Sequence, residues 1–154
     1  MKNKILQKIK FIFIATNLLF VSSLIYADEF EITALKIELD NKNKKIFAKG
    51  DVVAKSNDGL TINAQEVIYN KKNNTLEASK SVIIKDENSN SEIRGEKILL
   101  DKKKEQIISF GKTLINFKDN FSITTSDIIF DRIKKTIKSK NLTSGLDKDG
   151  NKFT

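Results

Sequence analysis

The segment Thr33-Ala34-Leu35-Lys36-Ile37-Glu38-Leu39-Asp40 alternates apolar and charged side chains strictly from Leu35 onward. Successive side chains of a β-strand point to opposite faces, so Leu35, Ile37 and Leu39 fall on one face and the charged residues on the other. This period of two predicts a strand with one buried face. The polar run over residues 41–45 that follows is typical of a turn.

The pattern recurs three more times behind this strand, at steps of 30, 31 and 30 residues between Ala34, Ala64, Gly95 and Thr125. A fixed period of this length indicates a stacked architecture, in which each unit covers the apolar face of its neighbour. In every repeat, the third, fifth and twelfth positions after the reference residue are apolar or aromatic. These twelve column residues are Ile37, Val67, Ile98 and Ile128; Leu39, Tyr69, Leu100 and Phe130; and Ile46, Leu76, Ile107 and Ile137.

Each repeat consists of a predicted strand, a polar turn, a second strand and a looser turn, and no helix of useful length is predicted after residue 30. The sequence therefore predicts an all-β chain of about eight strands. A closed barrel would need no repeat, and a transmembrane barrel would need a longer lipid-facing band. The columns favour an open, solenoid-like stack of about four two-strand repeats, whose edges lie at residues 31–40 and 136–143.

The N-terminal segment 1–27 has the pattern of a signal peptide. Four lysines within its first ten residues precede an uncharged run that ends at the small Ala27. A retained membrane anchor is the alternative, because seventeen uncharged residues lie at the lower limit for crossing a bilayer. We expect one mature domain over residues 28–154. Removal of the four lysines leaves 24 of the 28 basic side chains, against 20 acidic ones.

The composition argues against several function classes. The chain has no cysteine and no histidine, which removes disulfides, thiolate metal sites and the commonest general base. Two arginines and scattered lysines do not form a nucleic-acid surface. The spacing of Asp147 and Asp149 is similar to that of a calcium loop but lacks the terminal Glu, so a turn explains it better. We predict no catalytic residue, no metal site and no cofactor.

Three stretches of the repeat carry a resemblance to a known family. Residues 63–70 (Asn-Ala-Gln-Glu-Val-Ile-Tyr-Asn), 46–53 (Ile-Phe-Ala-Lys-Gly-Asp-Val-Val) and the weaker 76–82 resemble repeated motifs of the OstA/LptA family of lipopolysaccharide transport proteins. The end of the chain, residues 146–153, looks like the periplasmic N-terminal domain that precedes the barrel in LptD proteins. The motifs leave open whether the chain is a stand-alone LptA-like protein or a truncated LptD N-terminal domain.

This resemblance implies a V-shaped β-jelly-roll in the periplasm, where association with the outer membrane is an open possibility. It implies that the inner face, formed by the twelve column residues, holds the acyl chains of lipopolysaccharide. The open edges of the predicted stack could pair with sibling β-jelly-roll proteins or, head to tail, with further copies of this chain; the alternative is that lysines near residues 134–140 keep the edge monomeric. From periodicity alone, the core of a small β domain explains the columns better, and only the resemblance makes lipid contact an equal explanation for part of them. A secreted β-repeat binding or adhesive protein with a purely structural core is the alternative function.

Overall fold

A computed structural model describes residues 29–118 and 121–154 of the chain. Its strands form one antiparallel sheet in the order β1-β3-β4-β5-β6-β7-β8-β10-β11, with β2 also beside β3 and β9 also beside β8. The strands are β1 (Phe30–Thr33), β2 (Lys36–Asp40), β3 (Lys45–Ser56), β4 (Leu60–Asn70), β5 (Thr75–Asp86), β6 (Ser91–Asp101), β7 (Gln106–Phe117), β8 (Phe121–Asp131), β9 (Thr136–Ser139), β10 (Ser144–Leu146) and β11 (Lys152–Phe153).

The predicted open all-β architecture is confirmed, and the eight predicted strands correspond to β2–β9. Three short strands, β1, β10 and β11, were not predicted, because two to four residues are too few to show an alternating pattern. Within the described ranges, no helix has the length and apolarity needed to cross a membrane. The predicted signal segment 1–27 lies outside the described residues, so the domain division at residue 27 stays a prediction.

Each long strand bends near its middle. The register of every neighbouring pair from β3 to β8 shifts at that point, for example between Lys49 and Val52 on β3. Several residues at the shifts have positive φ, among them Gly50 at +78° and Asp51 at +45°. A Cβ atom on Gly50 would also lie 2.8 Å from Cδ1 of Leu35, and glycine adopts the positive φ of this bulge without strain. Such bulges turn a strand sharply, and they divide the sheet into two halves.

We name the two parts by the turns at their free ends. The first half-sheet contains β2, β9 and the parts of β3–β8 that lead to the turns at residues 41–44, 71–74, 102–105 and 132–135. The second half-sheet contains β1, β10, β11 and the parts of β3–β8 that lead to the turns at residues 57–59 and 87–90, to the end of β7 and to the start of β8. Their inner faces pack together around one apolar core, which both half-sheets supply.

The half-sheets cross diagonally. Phe30 on β1 packs edge-on against Tyr69 on β4, with ring centroids 5.1 Å apart. Asp58, in the turn after β3, reaches Lys102 after β6 and Arg132 after β8. In each contact, an element of the second half-sheet meets one that lies two or more strands further along the first. The beginning of the first half-sheet and the end of the second are therefore left without a covering layer.

Strand β2 shows the consequence of this diagonal packing. The strand predicted at residues 33–40 is present over Lys36–Asp40 only, since Thr33 ends β1, and the prediction of a buried face there is wrong. Leu35, Ile37 and Leu39 are 81%, 44% and 64% exposed. Their alternation matches that of the buried strands, yet no part of the second half-sheet lies above them.

Candidate functional site

The twelve column residues lie together on the inner face of the first half-sheet, in two adjacent rows that run across the strands. The rim row, nearer the turns, is Leu39, Ile46, Tyr69, Leu76, Leu100, Ile107, Phe130 and Ile137. The bend row, nearer the bulges, is Ile37, Ala48, Val67, Ala78, Ile98, Ser109, Ile128 and Ser139. The repeat of about thirty residues thus becomes two continuous apolar stripes.

Small residues of the bend row were missed by the sequence reasoning. Ala48, Ala78, Ser109 and Ser139 alternate with the Ile and Val residues of that row and follow the same steps of 30, 31 and 30. Ala48, Ala78 and Ser109 are buried. A small side chain beside each large one gives the row an alternating profile, into which the opposite layer can interdigitate.

The second half-sheet supplies a further apolar row that the sequence analysis did not assign. It includes Ile62, Ile93 and Ile123, which recur at steps of 31 and 30 residues and could have been recognised by that signal. In full, the row runs Ile32, Ala54, Ile62, Ile84, Ile93, Ile115, Ile123, Gly145 and Phe153. The candidate surface therefore has two apolar walls, of which only the first was predicted.

Burial divides the column residues into two groups. Nine of them are buried in the core: Ile46, Val67, Tyr69, Leu76, Ile98, Leu100, Ile107, Ile128 and Phe130. Ile137, at the far end of the rim row, is partly buried. Ile37 and Leu39 are exposed at the beginning of the rows. Together with Leu35 we call them the N-terminal flank, and this flank is the accessible part of the predicted site.

An aromatic cluster occupies the opposite corner, on the inner face of the second half-sheet. The rings of Phe117 and Phe121 lie 5.7 Å apart, and Phe121 and Phe153 are stacked at 5.2 Å. The Phe153 ring lies over Gly145, where a Cβ atom would be 1.8 Å from the phenyl carbon Cζ. We call Phe117, Phe121, Ile123 and Phe153 the C-terminal flank. It is a second apolar surface at the border of the packed interior, where Phe117, Phe121 and Ile123 are partly buried and Phe153 is 42% exposed.

A cluster of charged side chains joins the turns of the two half-sheets. We call Asp58, Asp86, Lys102, Glu105 and Arg132 the rim cluster. The side chains of Lys102 and Arg132 are only 3% and 5% exposed, and that of Asp86 is 1% exposed. The sequence analysis assigned no role to Lys102, so its burial is a feature that it missed.

The rim cluster is held by short ion pairs. Lys102 Nζ donates to Asp58 Oδ2 at 2.5 Å and lies 3.0 Å from Glu105 Oε1. Arg132 donates through Nη1 to Asp58 Oδ2 at 2.6 Å and to Glu105 Oε2 at 2.5 Å. Its Nε donates to Asp86 Oδ2 at 2.9 Å. Each cation therefore has at least two carboxylate partners.

These contacts set the protonation of the cluster. Burial acts to raise the pKa of Asp58, but hydrogen bonds from Lys102, Ser56 and Arg132 outweigh it, so the pKa falls well below its ordinary value. Burial acts to lower the pKa of Lys102, and its hydrogen bonds with Asp58 and Glu105 raise it instead. Asp58 and Lys102 are therefore both charged around neutral pH.

Other carboxylates that the sequence placed close together serve the backbone. Asp147 accepts hydrogen bonds from the backbone N–H groups of Asp149 and Asn151, as in an Asx turn. Asp127 accepts from the N–H of Gly111, and Asp131 from the N–H of Lys134. These groups cap turns and bulges, so the chemically distinctive feature of the described residues is the apolar interior with its uncovered flanks.

A fold of bent strands that enclose apolar rows can be compared directly with known proteins. The family model of LptC-related lipopolysaccharide-assembly proteins matches residues 6–116, which is more than half of the chain. The chain belongs to this LptC-related family. The expected kinship with lipopolysaccharide transport proteins is thereby confirmed. The motifs had pointed to the LptA and LptD members and did not single out LptC.

The fold of this LptC-related chain is similar to a crystal structure of LptH from Pseudomonas aeruginosa, described as the LptA-homologous periplasmic component of the conserved lipopolysaccharide transport device. The TM-score is 0.65 at 13% sequence identity, over 73% of this chain and 84% of that one. At this identity the likeness shows a shared fold. A comparison with curated protein sequences found no match.

Proposed function

We propose that this LptC-related protein is a periplasmic, non-enzymatic component of lipopolysaccharide transport for outer membrane biogenesis. It shields lipid acyl chains on its apolar inner surface and pairs with sibling β-jelly-roll proteins through its edge strands. Membership of the LptC-related family and the LptH-like fold support the transport role. The observation that carries the lipid contact is the N-terminal flank, where apolar rows that are buried elsewhere continue into solvent.

The physical case for lipid binding rests on buried apolar area. Ile37 and Leu39 are exposed, so an acyl chain laid along them would remove apolar surface from water on both sides. Each methylene that leaves water contributes about 0.8 kcal/mol, so a chain of about twelve methylenes contributes about 10 kcal/mol at full burial. No polar chemistry is required, because the chain needs only to be shielded.

The two flanks favour a head-to-tail arrangement of β-jelly-rolls. Within one chain, the second half-sheet covers strands of the first that lie further along. A sibling stacked beyond β11 would place the start of its own first half-sheet under the uncovered C-terminal flank. The aromatic surface of Phe121 and Phe153 would then cover the equivalents of Ile37 and Leu39 in the neighbour. In this arrangement the apolar interior runs on from one protein to the next.

The test compares two single charges placed at similar exposure on opposite faces of the first half-sheet. Ile37, on the inner face, is 44% exposed, and Ile68, on the outer face, is 37% exposed. We would purify tagged full-length Ile37→Asp and Ile68→Asp variants from cell envelopes and quantify the lipopolysaccharide that copurifies by mass spectrometry of its acyl chains.

We expect Ile37→Asp to lose most of the lipopolysaccharide that the unsubstituted protein retains and Ile68→Asp to keep it. Equal retention by both variants would refute lipid contact at the N-terminal flank. Absence of lipopolysaccharide from all preparations would instead favour the alternative, a β-repeat binding protein whose columns are only a structural core.

A further inference from the structure

The rim cluster lies where the two half-sheets have no covalent connection. On the bend side, each of β3–β8 runs from one half-sheet into the other. On the opposite side, the described residues join the two layers through side-chain contacts, such as that of Arg132 with Asp58. Asp58 and Asp86 belong to the rim of the second half-sheet, whereas Lys102, Glu105 and Arg132 belong to the rim of the first.

The ion pairs of the cluster run mainly between the layers. Lys102 bonds with Asp58, and Arg132 bonds with both Asp58 and Asp86, so three close pairs cross from one half-sheet to the other. Lys102 also lies 3.5 Å from Glu29, next to β1. Glu105 bonds with the same two cations but stays within the first half-sheet. The cations of one rim thus face the carboxylates of the other.

Such an arrangement stabilises the closed state and resists partial opening. A buried ion pair contributes little when it is compared with well-packed apolar side chains, but separating its partners leaves charges that are unpaired and poorly solvated. Each of the three pairs between the layers contains Asp58 or Arg132. Separation of the two rims must therefore break all three pairs together. Every buried side-chain nitrogen or oxygen within the described ranges has a hydrogen-bond partner while the rims are closed.

We propose that the rim cluster is a latch that holds the two half-sheets closed, with Asp58 as the residue that joins both cations across the rim. Its release lets the layers part about the bends and exposes the buried rows to an acyl chain. The binding of an acyl chain between the parted layers rests on the proposed function, whereas the closure of the half-sheets by the latch concerns the fold alone. Acyl chains would then bind in two stages, first on the N-terminal flank and then between the layers.

The test measures the distance across the rim. The full-length chain has no cysteine, so nitroxide labels can be attached to E87C and K134C, which replace exposed residues on turns that line one cavity of about 200 Å³. A second pair, K104C and K134C, reports within the first half-sheet alone. Distances between the labels are measured by pulsed electron–electron double resonance. Each pair is examined in three backgrounds: unsubstituted, Asp58→Asn and Glu105→Gln.

Asp58→Asn weakens pairs between the layers, whereas Glu105→Gln weakens pairs within one layer. We expect Asp58→Asn to add a population in which the cross-rim distance is longer by about 5 Å or more, half of the ~10 Å spacing between packed sheets. The distance within the first half-sheet stays unchanged, and Glu105→Gln leaves both distances unchanged. An unaltered cross-rim distance in Asp58→Asn, or equal widening in Glu105→Gln, would overturn the latch.

A second measurement applies even if Asp58→Asn does not fold. The otherwise unsubstituted E87C/K134C chain is closed with a short bismaleimide, and uptake of the apolar dye N-phenyl-1-naphthylamine is compared with that of the uncrosslinked chain. Several-fold lower uptake when crosslinked supports the latch as a gate, and equal uptake overturns it. The two half-sheets could separate in Asp58→Asn although the chain retains no lipopolysaccharide. That result would support the latch and refute the proposed function.

Discussion

Replacement of two leucines in the same row separates the core from the accessible surface. Leu100 and Leu39 both belong to the rim row, and Leu→Ala removes the same atoms from each. Leu100 is 0% exposed, at the centre of the packed interior, whereas Leu39 is 64% exposed on the N-terminal flank. The difference between the two variants therefore measures how much each position contributes to packing.

The expected magnitudes follow from burial. Leu→Ala at a fully buried site costs about 3–4 kcal/mol, from lost transfer free energy and the cavity that remains. At Leu39 only about a third of the side chain is covered, so the same change costs about 1 kcal/mol or less. Urea unfolding followed by circular dichroism measures both. With an m-value of about 2 kcal/mol/M, Leu100→Ala shifts the midpoint by about 1.5–2 M and Leu39→Ala by no more than about 0.5 M.

The same pair of variants distinguishes stability from function. Leu39→Ala is expected to reduce the lipopolysaccharide that copurifies while the fold stays intact. A loss of stability at Leu39 as large as that at Leu100 would refute the reasoning, because the N-terminal flank would then be part of the packed core rather than an open surface.

Three further predictions concern the rim, the C-terminal flank and the bend row. Burial and the hydrogen bonds from Lys102, Ser56 and Arg132 together leave the pKa of Asp58 below its unfolded value. As the pH falls, Asp58 is therefore protonated in the unfolded chain before it is protonated in the folded one, and the free energy of unfolding falls as the pH drops below about 4. Urea titrations at several pH values should show a smaller fall in Asp58→Asn. An identical fall would contradict the ion pairs of Asp58. Gly145→Ala displaces the Phe153 ring from the inner face. Carboxypeptidase should therefore release the residues around Phe153 faster than it does from the unsubstituted chain. Release at an unchanged rate would show that the Phe153 ring does not lie over Gly145. Ala78→Leu adds volume to the bend row, where Ala78 is 0% exposed between Val67 and Ile98. The free energy of unfolding in urea should therefore fall by about 1–3 kcal/mol. An unchanged free energy of unfolding would mean that the layers are loosely packed there.

Much of the fold is contained in local patterns of the sequence. The alternation in β3–β8 and the step of about thirty residues predict the strands, their order and the inner face, because each repeat pairs with the next by the same register. The small positions of the bend row follow the same step, so Ala48 and Ala78 could have been assigned from the sequence as well.

The boundary between core and accessible surface could not be predicted in this way. Ile37 and Val67 occupy the same position of the repeat, yet one is exposed and the other is 1% exposed. The difference comes from the diagonal angle between the half-sheets, which depends on the whole sheet. Similarly, the partners of Lys102 and Arg132 at Asp58 lie 44 and 74 residues away in the sequence, so turn residues that look solvated locally become a buried cluster.

The most direct test of lipid transport through this surface is photocrosslinking in living cells. A photoreactive residue is placed at Leu39, on the inner face of the N-terminal flank, and in a separate strain at Glu38, its exposed neighbour on the opposite face of β2. The account predicts a lipopolysaccharide adduct at Leu39 and none at Glu38. No adduct at Leu39, or adducts of equal yield at both positions, would contradict it.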